Sequence, residues 1–147
     1  RQRRPGDRRR DREYPGATVM DKQELLLDAT GKSFNRLVID HNIAIEYADT
    51  VERVSVRIEG DFSIYKENIE YSINTYTLTN LELLLELLSV PLKEIVLRDY
   101  EPAIIELSNG MILRIEIIQK YEWLNLHFEK LYVIGCPGGE LAIFDQQ

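Results

Sequence analysis

The sequence predicts a mainly β fold (α+β), in which two antiparallel β-meanders form a sandwich or a partly open barrel with one helix near residues 79–90. Apolar residues alternate with polar residues along many short segments, which is the period of a strand with one buried face. Turn sequences separate those segments, and one leucine-rich stretch has the helical period instead. These observations together predict a single β-rich domain that contains one helix.

The chain has two parts that differ in charge. It contains 147 residues, with 18 Lys and Arg against 25 Asp and Glu, for a net charge of −7. Residues 1–19 hold seven Arg and three acids, which gives +4, so residues 20–147 carry −11. We expect the basic segment to be disordered, and to be vector-derived or upstream sequence ahead of a native start at Met20. The alternative is a basic arm that binds nucleic acid, because clustered arginines neutralise phosphates. Residues 20–147 are long enough to form one domain.

Segments with a period of two predict the strands in chain order. They are residues 36–40, 43–47, 54–59, 93–99, 103–108, 111–117, 122–128, 131–136 and 140–144. Ile, Val, Leu, Phe and Tyr fill these segments, which suits a half-buried pleated surface. Asn109–Gly110 predicts a hairpin with a type I′ turn, and Gly60–Asp61 predicts a second hairpin with a type II′ turn. Pro137–Gly138–Gly139 predicts a tight reversal with glycine at a positive φ.

Residues 79–90 predict the helix. Four leucines have the spacing of a single helical face: Leu81, Leu84, Leu85 and Leu88. Leu83 and Leu87 add apolar surface beyond this stripe, so we expect the helix to be buried on more than one side. Thr79 and Glu82 have the spacing of a capping box, in which each side chain accepts a hydrogen bond from the other residue's backbone N–H. Pro91 is expected to end the helix, because proline cannot continue it.

A weak internal repeat spans the helix. Residues 35–59 parallel residues 93–116, and three acidic pairs mark the likeness: Asp40 with Asp99, Glu46 with Glu106, and Glu59 with Glu116. Two related meanders would bury their apolar faces against each other. We interpret the repeat as an internal duplication, because a period that occurs only twice does not define a solenoid.

Twelve residues resemble the motifs of a bacterial family of uncharacterised small domains. They are Gly31, Lys32, Arg36 and Asp40 at the start, Tyr121, Glu122 and Trp123 in a late strand, and Pro137, Gly138, Gly139, Glu140 and Leu141 in a closing hairpin. The likeness covers about residues 24–144, except that Trp123 follows Glu122 directly where the family has a spacer residue. The resemblance implies a bacterial source and a role as an immunity protein or an accessory module beside toxin genes. It implies no catalytic residues.

Cysteine chemistry is the first enzymatic alternative. Cys136 is the single thiol, and a nucleophilic role requires His41 or His127 beside it. No recognised local signature surrounds Cys136, so we interpret it as a small apolar residue at a strand end. Two histidines and one cysteine scattered along the chain predict no metal site and no cofactor.

Carboxylates are the second enzymatic alternative, because a close pair of them can hydrolyse a glycosidic bond. The candidates lie in or between predicted strands: Asp99, Glu101, Glu106, Glu116, Glu122 and Glu129. Acids that alternate with apolar residues usually form the solvated face of a strand, so we predict that the domain is not an enzyme. Nucleotide enzymes are disfavoured, because no phosphate-binding glycine motif follows a strand into a helix.

The charge of residues 20–147 predicts the class of partner. A body at −11 repels nucleic acid and anionic membranes but attracts a basic protein, such as a toxin nuclease that binds phosphates. The predicted partner-binding residues are two aromatic anchors, an acid between them and the closing turn: Tyr121, Trp123, Glu122, Pro137, Gly138, Gly139 and Glu140. Core burial is the alternative for Trp123, because large aromatic residues of small domains are usually buried.

These features predict a non-catalytic bacterial cytoplasmic domain that binds a protein partner and could neutralise a basic toxin. The alternative is a small-ligand-binding module or a cryptic hydrolase with carboxylate or Cys–His chemistry. A third interpretation is a structural module that forms homo-oligomers through an exposed strand edge. Ordinary solubility is a further explanation of the acidic charge. The sequence shows no apolar stretch long enough to cross a bilayer, so no membrane partner is predicted.

Overall fold

A computed structural model describes residues 22–40, 44–51, 53–73 and 80–146, which form twelve strands and one short helix. The predicted basic segment 1–19 and the predicted start at Met20 lie outside these ranges. Within the ranges, no helix has the length and apolar composition that a membrane crossing requires.

The strands form two six-stranded antiparallel sheets that pack as a β-sandwich. The first half of the chain contains β1 Glu24–Asp28, β2 Arg36–Asp40, β3 Ala44–Ala48, β4 Val54–Ile58, β5 Phe62–Lys66 and β6 Ile69–Ile73. The second half contains β7 Leu92–Arg98, β8 Ala103–Leu107, β9 Ile112–Ile115, β10 Leu124–Phe128, β11 Leu131–Gly135 and β12 Leu141–Asp145. Sheet 1 has the order β1-β7-β8-β9-β5-β6, and sheet 2 has the order β12-β11-β10-β4-β3-β2. The described strands leave both sheets open, so the predicted sandwich is confirmed and the barrel alternative is not formed.

Each sheet combines three strands from one half of the chain with a hairpin from the other half. In sheet 2, β2, β3 and β4 lie beside the hairpin β10–β11, and in sheet 1, β7, β8 and β9 lie beside the hairpin β5–β6. The connections β4–β5 and β9–β10 therefore cross between the sheets at equivalent places. Two five-strand units with exchanged hairpins result, which agrees with the two related halves predicted from the sequence.

Each unit contains an inward row across its three consecutive strands: Leu37, Tyr47 and Val56 in sheet 2, and Ile95, Ile105 and Leu113 in sheet 1. The predicted pairings of Asp40 with Asp99 and of Glu46 with Glu106 stay predictions. The third predicted pair, Glu59 and Glu116, has one contact in common. In both units, the arginine two residues before this glutamate forms an ion pair with it.

Two of the predicted hairpin turns have different outcomes. Asn109–Gly110 does join β8 to β9, but only Gly110 has a positive φ, at 91°, so the turn is not type I′. Gly60–Asp61 does not close a hairpin, because β4 and β5 belong to different sheets. A Cβ on Gly60 would lie 2.5 Å from Ile118 Cδ1, so a larger residue at this crossing would require the Ile118 side chain to shift.

The helix is shorter than predicted and begins differently. Helix α1 spans Leu81–Glu86, so it ends well before Pro91. Its N-cap is Asn80, in a left-handed conformation with φ 63° and with no side-chain capping hydrogen bond. The predicted capping box is therefore wrong in its N-cap residue, and Thr79 itself lies outside the described residues.

The buried side of α1 agrees with the prediction for Leu83, Leu84 and Leu87 and differs from it at Leu85. Leu83, Leu84 and Leu87 are buried, whereas Leu85 is 51% exposed. The buried Tyr47 hydroxyl donates a hydrogen bond of 2.7 Å to the Leu84 carbonyl oxygen, which fixes the helix against sheet 2. Burial raises the pKa of the Tyr47 hydroxyl, so this group remains a neutral donor at physiological pH.

Candidate functional site

Three turns meet at one end of the sandwich, and we name this surface the loop end, residues 99–101, 117–122 and 136–140. The Tyr100 N–H donates to the Gly139 carbonyl oxygen at 2.8 Å, which joins the first turn to the third. The Gly138 N–H donates to the Ile118 carbonyl oxygen at 2.9 Å, which joins the third turn to the second. Backbone hydrogen bonds therefore hold all three turns in one arrangement.

The Pro137–Gly139 turn folds as its sequence predicts. Proline begins a short 3₁₀ turn, and both glycines have positive φ, 86° at Gly138 and 116° at Gly139. Gly139 also lies close to the first turn, since a Cβ there would be 2.8 Å from the Tyr100 Cα. Only glycine satisfies both requirements at this position.

The loop end exposes aromatic and acidic side chains together. Tyr100 is 56% exposed and Tyr121 is 67% exposed. Three acids at the same end are also exposed: Glu101, Glu122 and Glu140. Tyrosine presents a large apolar body with a polar tip, which is why it is enriched in protein interfaces.

The structure brings most of the predicted partner-binding residues together here. Tyr121, Glu122, Pro137 and Glu140 are all exposed at the loop end, while Gly139 is buried beneath it. Sequence analysis missed Tyr100, whose exposed ring adjoins the same turn. The sequence did contain a signal for a turn at Tyr100, because this residue follows a strand that ends near Asp99 and precedes Pro102.

Trp123 is not available as a surface anchor. Its side chain is fully buried, so the anchor prediction is wrong and the alternative of core burial is confirmed. The indole Nε1–H donates to the Cys136 carbonyl oxygen at 2.9 Å, and the ring lies against Gly135. Trp123 thus supports the loop end from below.

Asp99 ties the loop end to the first and last strands. Its carboxylate accepts hydrogen bonds from the Gln23 N–H at 2.7 Å and from the Leu141 N–H at 2.9 Å. The Gln23 side chain in turn donates to the Leu141 carbonyl oxygen at 2.7 Å. Asp99 is buried, so these donors replace water around its carboxylate.

A groove of about 770 Å³ opens beside this cluster. Its polar lining comes from Lys22, Gln23, Asp99 and Glu140, and its apolar wall is the edge strand β12 from Leu141 onward. The groove is within the size range of small-molecule sites, roughly 300–1,000 Å³. It lies between the predicted closing turn and β1, so it extends the loop end along the side of the sandwich.

The predicted Cys–His alternative does not form with His127. The imidazole stacks on the Tyr132 ring with centroids 4.3 Å apart. Cys136 lies four residues beyond Tyr132, just after the end of β11, which is about 13 Å away at strand spacing. His41 lies outside the described residues. Burial, followed by the carboxylates of Glu140 and Glu122, raises the pKa of the Cys136 thiol above its usual value. In the described part of the chain, no cluster of His, Cys, Asp and Glu could hold a metal ion.

We expect Cys136 to react slowly with iodoacetamide near pH 8, because its raised pKa keeps the protonated thiol dominant. Glu140→Gln should increase the alkylation rate only modestly, because it removes one nearby negative charge and leaves burial, the largest cause of the raised pKa, unchanged. The rate can be measured by mass spectrometry on the folded chain, with the chain in urea as the reference for an unperturbed thiol. A folded-state rate above that reference would show an activated cysteine and would contradict the assignment.

Comparisons with known proteins add no assignment: no family model, curated protein sequence or solved structure matches the chain. The fold and the site define a structural class of protein: a two-sheet antiparallel sandwich with an acidic, tyrosine-bearing loop end and an adjoining groove.

Proposed function

We propose that this chain is a non-catalytic protein-binding domain that engages a basic partner protein through its loop end. The observation that carries the proposal is the joining of three turns into one surface with two exposed tyrosines and three exposed acids. Tyrosines supply contact area at a low cost in conformational entropy. The acids select a partner with the opposite charge.

The charge of the whole body supports a basic partner over the other classes. Residues 20–147 carry −11, so the long-range field repels nucleic acid and anionic lipid and accelerates encounter with a cationic protein. Among the described acids of the loop end, only Glu101 has an ion-pair partner, Arg98 at 4.0 Å. Glu122 and Glu140 therefore remain available to cations on another molecule.

The groove offers a place for a basic side chain of that partner. Its apolar wall along β12 suits the aliphatic stem of a lysine or an arginine, and Glu140 at the same groove suits the charged head. A lysine or arginine with its aliphatic part buried and its charged end paired is a common anchor residue in an interface.

More specifically, we propose that the chain is a bacterial cytoplasmic immunity protein that neutralises a basic toxin by covering its surface. The support is the resemblance described above, which includes the Pro137–Leu141 hairpin, together with the acidic charge. Toxins that cleave nucleic acid carry basic surfaces, and an acidic binder can cover such a surface directly.

Charge reversal at the loop end tests the proposal. The chain is co-expressed with the product of the adjacent gene, and the dissociation constant is measured for a variant with Glu101→Lys, Glu122→Lys and Glu140→Lys. We expect affinity to fall about 100-fold, because each reversal replaces an attraction with a repulsion at the interface. A matched variant changes three exposed acids near β6 and α1: Glu67→Lys, Glu70→Lys and Glu82→Lys. That control should change affinity less than about threefold.

The possible results test the binding site and the protein-binding function separately. Equal losses in both variants would contradict the loop end as the binding site. An active adjacent gene product that forms no complex, and whose toxicity the chain does not reduce, would contradict the protein-binding function itself.

The groove volume favours small-ligand binding as the second candidate function. Two carboxylates line the groove, but Asp99 is already committed to Gln23 and Leu141, which leaves Glu140 as the accessible acid. A fragment screen by NMR distinguishes this candidate. Shift changes confined to Leu141–Phe144 and Tyr100 would support a ligand site, and their absence would remove it.

A further inference from the structure

The outer face of sheet 1 carries a second surface, away from the turns of the loop end. It comprises six residues on three neighbouring strands, and we name it the acidic face: Leu26, Asp28, Glu94, Val96, Ile104 and Glu106. The residues that alternate with them point inward, since Ile95 and Ile105 are fully buried in the core. The acidic face is thus part of the solvent side of β1, β7 and β8, which continues toward the Glu24–Arg98 ion pair.

The strand register places three apolar side chains in one row across these strands. Leu26 pairs with Val96, and Val96 pairs with Ile104. Leu26 is 55% exposed and the other two are half-buried. Adjacent apolar side chains on an outer sheet face form a continuous patch, which is a common mark of an interaction site.

A row of three carboxylates lies directly beside the apolar row. Asp28 pairs with Glu94, and Glu94 pairs with Glu106. Like charges directly opposite each other destabilise a sheet, because their Cβ atoms are only about 5 Å apart. Among the described cations, Lys93 alone forms an ion pair with this row, at 3.6 Å from Glu106.

We infer that the acidic face binds a basic amphipathic segment of a partner protein, at a surface distinct from the loop end. The partner's apolar side chains would cover Leu26, Val96 and Ile104, and its lysines or arginines would neutralise the neighbouring carboxylates. Charge complementarity selects this occupant. A second copy of the chain would bring the same carboxylate row against its own, and a nucleic acid or an anionic lipid would bring phosphates.

The sequence conceals this surface because it is assembled from distant segments. In β1, Leu26 lies in a run of three leucines, and no period of two in the sequence distinguishes the exposed one from its half-buried neighbours. The carboxylate row becomes visible only when the register pairs β1 with β7 and β7 with β8. The inference therefore rests on the sheet order and not on a motif.

A synthetic peptide of leucine and lysine with helical periodicity is the probe for this inference. Titration into the isotopically labelled chain at physiological salt should shift amide resonances of β1, β7 and β8. The double variant Glu94→Lys with Glu106→Lys should weaken binding at least about tenfold, because two attractions become repulsions. Val96→Ser should weaken binding severalfold by removing apolar contact.

The controls separate a specific surface from general attraction to an acidic protein. A matched peptide of leucine and glutamate should not bind. The double variant Glu67→Lys with Glu82→Lys changes net charge equally at a distant edge and should alter affinity less than about twofold. Equal losses in both double variants, or shifts located outside β1, β7 and β8, would overturn the inference.

Discussion

Replacing Trp123 with alanine is expected to lower the free energy of unfolding by about 3–5 kcal/mol. The indole is fully buried and lies against Gly135, where a Cβ would be only 2.5 Å from the ring. Alanine would leave a cavity and would also leave the Cys136 carbonyl oxygen without its 2.9 Å donor. Urea unfolding followed by circular dichroism measures the loss.

Two further variants serve as comparisons for Trp123→Ala. Trp123→Phe keeps most of the buried volume and should cost less, about 1–2 kcal/mol. Tyr121→Ala removes an exposed ring two residues away and should change stability by less than about 0.5 kcal/mol. If Tyr121→Ala destabilised the chain as much as Trp123→Ala, the assignment of these two aromatic residues to surface and core would be wrong.

Replacing Asp99 with alanine is expected to cost about 2–4 kcal/mol, because it leaves two backbone donors without an acceptor. The Gln23 and Leu141 N–H groups both bond to this buried carboxylate. The substitution therefore loosens the start of β1, the end of β7 and the start of β12 together. Thermal or urea unfolding gives the size of the loss.

A matched aspartate at the surface provides the control for Asp99. Asp28 also accepts a backbone hydrogen bond, from the Thr30 N–H at 3.0 Å, but in an exposed turn. Water can replace that bond, so Asp28→Ala should cost less than about 1 kcal/mol. Equal losses for the two variants would show that burial does not set the importance of Asp99.

The sandwich was predictable because most strands carry their own signal. The period of two in β4, with Val54, Val56 and Ile58 buried, identifies both the strand and its inward face. Strand order was not predictable, because β5–β6 and β10–β11 exchange sheets and no local pattern records the exchange. The helix prediction placed Leu85 on the buried face for a similar reason, since packing of Leu83, Leu84 and Leu87 against the sheets decides which face is buried.

The candidate site was predictable only in part. Pro137, Gly138 and Gly139 identify a turn by their own conformational limits, so the closing turn could be located from sequence. Trp123 carries no such signal, because a tryptophan beside an exposed tyrosine can face either way until the strand register is known. Tyr100 and the hydrogen bonds of Asp99 join residues that are distant in sequence, so only the three-dimensional structure brings them to the loop end.

Hydrogen exchange on the complex tests the central claim most directly. The chain is compared alone and with the product of the adjacent gene, the partner candidate of the proposal, with amide exchange followed by mass spectrometry. Our account predicts slower exchange on binding in residues 99–101, 117–122 and 136–140, with β6 and α1 unchanged. Slower exchange confined to β6 and α1, with the three turns unaffected, would contradict it.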